Sequence, residues 1–302
     1  MIIDFHRHLW SLAERYASAR DIAARGSVLK ADVTSPQDGG GTPQRVKDIV
    51  AEMETAGVDK SVLLLADYGL RLGEPEASIW EENKLAADVA KDDEHFIAFC
   101  GVDPRRKDAA EIFEKALTEW GAKGLKLHPC AGYSPSDPAC GPLYELAGQH
   151  GVPVAVHSGP MASPLLSEWA NPINVDQAAA DFPGTNFVIL HSGERCWFPV
   201  ALDMARWKPN IYLELSLWQI EYTEDQENFI RTVQRIRKAI GLERVVFGSD
   251  LPGIAKVMSL VDWVGVFRAL PGAAARHGGR ITEADVTNML GGNAARLLGV
   301  AE

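Results

Sequence analysis

Short hydrophobic runs recur along the chain about every 25–35 residues, and stretches with a helical hydrophobic period separate them. Most of these runs are apolar at consecutive positions, which is typical of parallel strands that are buried on both faces. The pattern predicts eight strands, at residues 2–8, 61–66, 96–102, 124–128, 153–157, 186–191, 211–216 and 245–249. Strands that alternate with helices in this way favour repeated βα units and a parallel sheet.

Two of the predicted helices carry recognisable boundary signals. Thr42 before Pro43 predicts the N-cap of one helix, and Gly57 predicts its end. Thr223 and Gln226 resemble a capping box at the start of another helix. Eight strands with helices between them favour a (β/α)₈ barrel of the TIM type over an open doubly wound sheet. No G-x-G-x-x-G motif follows any predicted strand, so a dinucleotide-binding domain is not indicated.

The first βα connection is unusually long. Its sequence predicts a helix at residues 12–25 and a glycine-rich loop at residues 32–41. Connections longer than ~12–15 residues without regular structure are usually functional loops or disordered segments. Since barrel active sites lie at the C-terminal ends of the strands, we expect this loop to be a lid over the site.

Composition and length are compatible with one large hydrophobic core. The chain has 302 residues, 46% of them hydrophobic and 24% charged, which excludes a disordered or fibrous protein. A chain of this length would allow two domains of ~150 residues, but α/β barrels reach the same size as one domain. We therefore predict a single domain that spans residues 1–302.

Charge and cysteine content narrow the class of protein further. The formal net charge of −11 disfavours a nucleic-acid partner, because proteins that bind phosphate backbones usually have a basic surface. No apolar run approaches the ~20 residues of a membrane span, and the first residues lack the features of a signal peptide. The four cysteines form no C-x-x-C pair and are expected to be reduced thiols. These features predict a cytoplasmic protein with neither a nucleic-acid nor a membrane partner.

Four histidines and one aspartate fall at the ends of predicted strands. His6 and His8 have the same parity in the first strand, so both side chains should face the barrel interior. His157, His191 and Asp250 end the fifth, sixth and eighth strands. A shared divalent cation would offset the cost of burying these polar groups at the active-site face of a barrel. The pattern favours a metal site over the alternative, which is a set of buried histidines with ordinary structural partners.

The order of these residues resembles the amidohydrolase superfamily. Three further motifs are similar to its amidohydrolase-2 branch: GLKLHP at residues 124–129, FGSDLP at 247–252 and GNAARLL at 292–298. The resemblance extends over residues 3–298, which is almost the whole chain. The branch contains hydrolases, lactonases, hydratases and non-oxidative decarboxylases.

The resemblance implies one divalent metal ion, most often Zn²⁺, with Mn²⁺ as an alternative. It implies that His6, His8, His157 and Asp250 are the ligands, that Asp250 is also the general base, and that His191 is a second catalytic residue. It also implies a homodimer. The donor set agrees with a catalytic zinc site, because neutral imidazoles and a carboxylate leave a coordination position open.

Several further residues are candidates for substrate contact. Lys126 and His128 share one parity on the fourth strand. Lys126 is interpreted either as a contact to an anionic substrate group or as a salt-bridge partner inside the barrel. The resemblance leaves a third role, a carbamylated lysine that bridges two metal ions as in binuclear relatives, but the amidohydrolase-2 branch usually binds one ion. The other candidates are Arg7, which lies within the first strand, and five aromatic residues just beyond strand ends: Trp10, Tyr68, Tyr133, Trp197 and Trp218. Arg105, Arg106 and Arg195 are further candidates for a carboxylate clamp, whereas Glu194 has no assigned role.

The predicted function is the metal-dependent hydrolysis of a small-molecule ester, lactone or amide that carries a carboxylate. A metal-bound water would be the nucleophile in that reaction. The alternative is a lyase on the same scaffold, which decarboxylates or hydrates a small unsaturated or aromatic acid. A barrel that binds without catalysis is a third alternative, and the presence of every expected ligand type argues against it.

Overall fold

The structure, a computed structural model, describes residues 1–19 and 41–301. Nine strands occur in this part of the chain: β1 Ile3–Arg7, β2 Lys60–Leu63, β3 Phe96–Ala98, β4 Cys100–Gly101, β5 Leu125–Leu127, β6 Val154–His157, β7 Phe187–Leu190, β8 Ile211–Glu214 and β9 Val245–Val246. Every pair of neighbouring strands is parallel, with the orders β1-β2-β3 and β4 to β9. Each predicted strand is therefore present, although most are shorter than predicted.

Backbone hydrogen bonds join the two series of strands into a ring. β3 and β4 are two halves of one predicted strand, separated by a single residue. At the other end, the N–H groups of Phe5 and His8 donate to the carbonyls of Phe247 and Leu251, both at 2.9 Å. These bonds connect β1 and the residue after it to the segment that directly follows β9. The predicted fold class, an α/β barrel of the TIM type, is confirmed.

Helices follow most strands and cover the outside of the ring. The described α-helices are α1 Leu12–Arg15, α2 Gly41–Ala56, α3 Gly69–Leu72, α4 Ile79–Asp92, α5 Ala109–Thr118, α6 Gly141–His150, α7 Asp176–Asp181, α8 Glu194–Trp207, α9 Trp218–Glu224, α10 Gln226–Ile240, α11 Leu260–Arg276, α12 Glu283–Thr287 and α13 Asn293–Leu298. None of the helices in residues 1–19 and 41–301 combines the length and the hydrophobicity that a membrane span requires.

The hydrophobic core has an inner and an outer part. The inner cluster contains Ile3 and Phe5 of β1 together with residues of β2, β3, β6, β7 and β9 and of helix α13. Strands from all around the ring contribute to it, so it fills the barrel interior. The larger cluster packs the strands against the surrounding helices. That residues 1–302 form a single domain stays a prediction.

Two of the predicted helix starts are wrong. Helix α2 begins at Gly41, so Thr42 lies in its first turn instead of capping it. Thr223 lies inside α9 and donates its hydroxyl hydrogen bond to Ile220, while the N-cap of α10 is Asp225. An aspartate carboxylate is as good an N-cap as threonine, and here it lies directly before the helix. Of the helix predicted at residues 12–25, α1 forms the beginning; residues 20–25 and 32–40, and with them the predicted lid, lie outside the described residues.

Candidate metal centre and active site

Three side chains converge at the C-terminal ends of β1 and β9. The Nε2 atoms of His6 and His8 lie 3.2 Å apart, and Asp250 Oδ1 lies 3.2 Å from the former and 3.0 Å from the latter. His8 Nδ1 donates a hydrogen bond to the carbonyl of Leu64 at 2.8 Å, so Nε2 of the neutral ring carries a lone pair. Burial lowers the pKa of His6 well below its usual value, and the positive charge of Lys126 lowers it further.

This convergence of acceptor atoms is a property of cation sites. Lone pairs that face each other at about hydrogen-bonding distance repel unless a positive charge lies between them. Ligand atoms about 2.0–2.1 Å from a tetrahedral Zn²⁺ are themselves ~3.3 Å apart, close to the separations between these three atoms. Two imidazoles and a carboxylate are also a donor set suited to zinc and manganese. The residues therefore fit a divalent metal ion.

A buried network fixes the relative position of these residues. Ser249 Oγ donates to Asp4 Oδ2 at 2.6 Å, and the backbone N–H groups of Ser249 and His6 donate to Asp4 Oδ1 at 2.8 and 3.1 Å. The N–H of Asp250 donates to the carbonyl of His6 at 2.8 Å. Burial raises the pKa of Asp4 to about 6, while the hydrogen bond from Ser249 opposes that shift. These bonds tie the end of β1 to the end of β9 and so keep His6 beside Asp250.

His157 and His128 stack on each other beside this group. Their ring centroids are 3.9 Å apart and their planes are 14° from parallel. His157 Nε2 and His128 Nδ1 are buried, and neither has a hydrogen-bond partner among the described residues. The donor atoms of His6, His8 and Asp250 all lie within 4.8 Å of one another. His157 is not in that group; its donor atom lies within the same distance of those of His128 and Cys130. The structure thus brings together three of the four predicted ligands, and the fourth lies next to them with an unpaired nitrogen.

A chain of buried hydrogen bonds that starts at Glu214 holds His191. Ser216 Oγ donates to Glu214 Oε2 at 2.9 Å and accepts from His191 Nδ1 at 2.8 Å. The backbone N–H of His191 also donates to Glu214 Oε2, at 2.8 Å. Burial lowers the pKa of His191 well below its usual value, and nearby His157 and Lys126 lower it further. The ring is therefore neutral, with its proton on Nδ1 and a lone pair on Nε2.

Glu214 is a site residue that the sequence analysis missed. Its carboxyl group is fully buried and lies 3.5 Å from His6 Nδ1. Burial raises its pKa to about 8, and hydrogen bonds from His191 and Ser216 oppose the shift. A carboxyl group behind a metal-binding imidazole orients the ring and increases its basicity. The available signal was an acidic residue between two leucines in a strand predicted to be buried.

A cavity of about 170 Å³ opens over these residues. Its lining contains all five predicted metal-binding and catalytic residues, and it also contains four of the predicted substrate contacts. Those four are Trp10, Tyr68, Lys126 and His128. Leu12, Met161 and Ile254 add apolar wall. A concave, largely apolar surface with a few convergent polar groups is typical of a small-molecule site.

The comparison with known proteins identifies the family. The amidohydrolase family profile matches residues 3–300. The chain belongs to the amidohydrolase-2 family. The expected resemblance is thereby confirmed over nearly the whole length of the chain. A search of curated protein sequences found no match to this chain.

Solved structures show the same fold at low sequence identity. An uncharacterised TIM-barrel protein from Bordetella bronchiseptica is 22% identical with a TM-score of 0.69, over 99% of this chain and 98% of that one. A dihydroxybenzoic acid decarboxylase from Polaromonas, with bound manganese and the inhibitor 2-nitroresorcinol, is 17% identical with a TM-score of 0.63, over 99% and 96%. A probable 2-pyrone-4,6-dicarboxylic acid hydrolase from Acinetobacter baumannii, with bound citric acid, is 15% identical with a TM-score of 0.65, over 99% of each chain.

Lys126 presents its ammonium group to the cavity. The residue is 1% exposed, and its ammonium has no hydrogen-bond partner within residues 1–19 and 41–301. Burial lowers its pKa to about 7, and the charges of Asp250 and Glu214 oppose the shift. Arg15 is the other basic residue of the described lining, and both Oε atoms of Glu82 accept its hydrogen bonds. Lys126 is therefore the cation available to an anionic group in the cavity.

The remaining predicted substrate contacts do not line the cavity. They are Arg7, Tyr133, Trp197 and Trp218. Arg7 turns away from it to pair with Glu52 at 2.5 Å. The Tyr133 hydroxyl accepts a hydrogen bond from the backbone N–H of His128 at 2.8 Å. Trp218 Nε1 donates to the backbone carbonyl just after β7, also at 2.8 Å, so these two aromatic residues support the loops of the site from behind.

The three arginines considered for a carboxylate clamp all form ion pairs. Arg105 pairs with Asp103 at 2.6 Å, Arg106 with Asp67 at 2.5 Å and Arg195 with Glu221 at 2.6 Å. None of the three lines the cavity around the candidate metal site. The loops after the strands use these arginines to stabilise their own conformation.

Backbone strain is concentrated at the same place. Within the described ranges, five non-glycine residues have positive φ: His191 (59°), Ser192 (50°), Glu194 (50°), Leu217 (63°) and Asp250 (57°). Four of them line the cavity. Such conformations cost on the order of 1–3 kcal/mol each and persist where the surrounding structure fixes them, which is common at functional sites. The strain is independent support for the location of the active site.

Proposed function

We propose that this amidohydrolase binds one divalent metal ion and hydrolyses a small ester, lactone or amide that carries a single carboxylate. Zn²⁺ is the preferred ion and Mn²⁺ the alternative. The observation that carries the proposal is the convergence of His6, His8 and Asp250 in a cavity that also contains Lys126. His157 is the natural fourth ligand, because its buried Nε2 has no other partner among the described residues.

The residues around the cavity would have different roles in such a reaction. When bound, the ion would polarise the substrate carbonyl and lower the pKa of water beside it. Asp250 accepts a proton from the attacking water and returns it to the leaving group, since its carboxylate lies at the cavity surface. His191 offers the lone pair on Nε2 to a donor on the water or the substrate. Lys126 binds the substrate carboxylate, and the apolar wall keeps other water away.

Lys126 is the one cation of the described lining without an acidic partner, and this is the reason for specifying one carboxylate. A substrate with two carboxylates would place its second charge against apolar side chains or against Asp250, which is unfavourable. The candidate arginines are already paired with acidic residues elsewhere. This feature supports a monoanionic substrate.

A metal-dependent decarboxylase is the second candidate. The solved structure of a manganese-containing dihydroxybenzoic acid decarboxylase has this fold, and the cavity here has the planar aromatic side chains Trp10 and Tyr68. In that reaction Asp250 would deliver the proton to carbon. Acid release and CO₂ release therefore distinguish the two candidates.

The experiment combines metal analysis with a substrate panel. Purified protein expressed with added Zn²⁺ or Mn²⁺ should contain about one equivalent of metal by mass spectrometry, and His6→Ala and Asp250→Ala should contain far less, since each removes a ligand. The exposed His150→Ala serves as the matched control. A panel of monocarboxylated esters, lactones, amides and hydroxylated aromatic acids is then assayed for acid and for CO₂. Substoichiometric metal in the wild type would refute the metal proposal, and release of CO₂ alone would favour the lyase.

Two expectations from the sequence stay predictions. The homodimer and the cytoplasmic location were expected from the resemblance and from the composition respectively. Gel filtration with light scattering would test the first, and localisation of the tagged protein would test the second.

A further inference from the structure

A second cavity, of about 290 Å³, lies against the first one. Three residues line both cavities: Pro160, Glu194 and Leu217. The metal-side cavity contains the candidate catalytic residues, whereas the outer cavity is lined by residues of α8 and α9. The two spaces therefore meet at a partition that these three side chains form.

Glu194 is the polar member of this partition, and its carboxyl group has no hydrogen-bond partner among the described residues. The side chain lies over Gly159, where a β-carbon would come within 2.0 Å of Glu194 Oε1. Gly159 thus leaves the space that the carboxyl group occupies. Burial raises the pKa of Glu194 to about 7, and the charge of Asp250 raises it further, in agreement with a carboxyl group that lacks a donor.

The position of Glu194 at the start of helix α8 does not explain this arrangement. A carboxylate in the first turn of a helix is favourable without any strain, yet Glu194 has a φ of 50°. Its neighbour Arg195 is the obvious cation for it, but Arg195 pairs with Glu221 and Glu224. Leu217, on the other side of the partition, also has a positive φ, of 63°. Strain at two of the three partition residues points to a functional constraint there.

We propose that the outer cavity is a second substrate subsite, and that Glu194 accepts a hydrogen bond from a hydroxyl or amino group on the part of the substrate that enters it. This inference rests on the proposed hydrolysis. Lys126 then binds the carboxylate at one end of the substrate, and the bond to be broken lies beside Asp250. The alcohol or amine portion passes between Pro160 and Leu217 to reach Glu194.

This arrangement defines a substrate class. The acyl part carries one carboxylate, and the leaving part carries a hydrogen-bond donor at a position from which it reaches Glu194 at the partition. A leaving part that is purely apolar would bury the Glu194 carboxyl without a donor, and an anionic leaving part would be repelled by it. Glu194 is therefore assigned as the specificity-determining residue for the leaving part.

The test measures binding, so that it does not depend on turnover. The probes are the N-ethyl and N-(2-hydroxyethyl) monoamides of fumaric acid, which share one carboxylate and differ in the terminal hydroxyl. Dissociation constants are measured by calorimetry with the zinc-loaded protein. The wild type should bind the hydroxyethyl amide ~10-fold or more tightly than the ethyl amide, which is the strength of one hydrogen bond to a charged acceptor.

Variants of Glu194 identify the residue responsible. Glu194→Leu should abolish the preference: the hydroxyethyl amide loses its hydrogen bond, while the ethyl amide should bind at least as tightly as it does to the wild type, because no unpaired carboxyl is buried against it. Glu194→Gln retains an acceptor oxygen and should keep part of the preference, which covers the case that the leucine variant does not fold. The exposed Glu111→Leu, on helix α5, is the matched control and should behave as the wild type.

The outcomes separate the inference from the function on which it rests. Equal affinities for the two amides in the wild type, or a preference that survives in Glu194→Leu, would overturn the role of Glu194. Failure of both amides to bind at millimolar concentration would overturn the monocarboxylate substrate class and the inference with it. Loss of the preference together with unchanged zinc content in Glu194→Leu supports the subsite.

Discussion

Lys126→Met is expected to stabilise the metal-free protein at pH 7 while removing its cation for the substrate carboxylate. The wild-type ammonium is 1% exposed and has no hydrogen-bond partner among the described residues. A buried charge in this situation is unfavourable, whereas methionine fills a similar volume with an apolar and adaptable chain. Replacing a functional residue is expected to increase stability where that residue holds a buried charge that only the bound ligand would pair with.

The pKa of Lys126 sets the sign and the size of the effect. Burial lowers it from 10.5 to about 7, so between these values the unfolded chain holds a proton that the folded chain has released. Stability must then rise with pH across this window, and the destabilisation is complete below about pH 7. At ~1.4 kcal/mol per pKa unit, the free energy of unfolding should increase by about 2–3 kcal/mol between pH 7 and pH 9.

Urea unfolding of chelator-treated protein, followed by tryptophan fluorescence at pH 7, 8 and 9, measures this increase. Lys126→Met should show no comparable rise and should exceed the wild type in stability at pH 7. Lys123→Met, at an exposed position just before β5, should retain the wild-type pH dependence. The reasoning is refuted if the wild type does not gain stability between pH 7 and pH 9, or if Lys126→Met gains as much.

Three further substitutions test other parts of the structure. Glu214→Gln should weaken zinc affinity ~10–100-fold, measured by competition with a chromogenic chelator, because the amide cannot accept all the hydrogen bonds of the carboxylate; unchanged affinity would contradict its proposed positioning role. Gly101→Ala should strongly reduce the yield of folded protein or the urea midpoint, since a β-carbon there would lie 1.6 Å from the carbonyl oxygen of Leu65. Burial raises the pKa of Asp4 to about 6, so between pH 4 and pH 6 the folded wild type holds a proton that the unfolded chain has released, and its stability falls as the pH rises. The stability of Asp4→Asn relative to the wild type should therefore rise by about 2–3 kcal/mol from pH 4 to pH 6. A constant difference between the two proteins in urea titrations would count against this.

The strands were predictable because parallel strands buried on both faces leave an uninterrupted apolar pattern. What the pattern did not show is where ladder pairing ends. β9 contains only Val245 and Val246, since the N–H of Phe247 already bonds to Met289 outside the sheet. The third predicted strand is likewise divided at Phe99. Such interruptions depend on partners that are distant in the sequence, and hydrophobicity carries no information about them.

Within the site, the alternation of side chains in a strand accounts for what the sequence predicted. His6 and His8 have one parity, as do Lys126 and His128, and all four line the cavity. Beyond a strand end this rule no longer applies, because the direction of each side chain depends on the following turn. Tyr133 is an example: it lies behind the cavity with its hydroxyl on a backbone N–H. The side-chain directions of the loop residues therefore required the structure.

The charge balance of the cavity connects the candidate metal ion to residues that were found only in the structure. Asp250, Glu214 and Glu194 lie in or directly behind the lining, and Lys126 is the one cation of the described lining that has no acidic partner. Burial raises the pKa of Glu214 to about 8 and that of Glu194 to about 7, which means that the local field does not stabilise a further negative charge. A divalent cation between His6 and Asp250 would supply the missing positive charge and lower both values. Ion binding should therefore release protons from these carboxyl groups as well as occupy the ligands, so that the measured affinity for zinc should increase with pH between about 6 and 8.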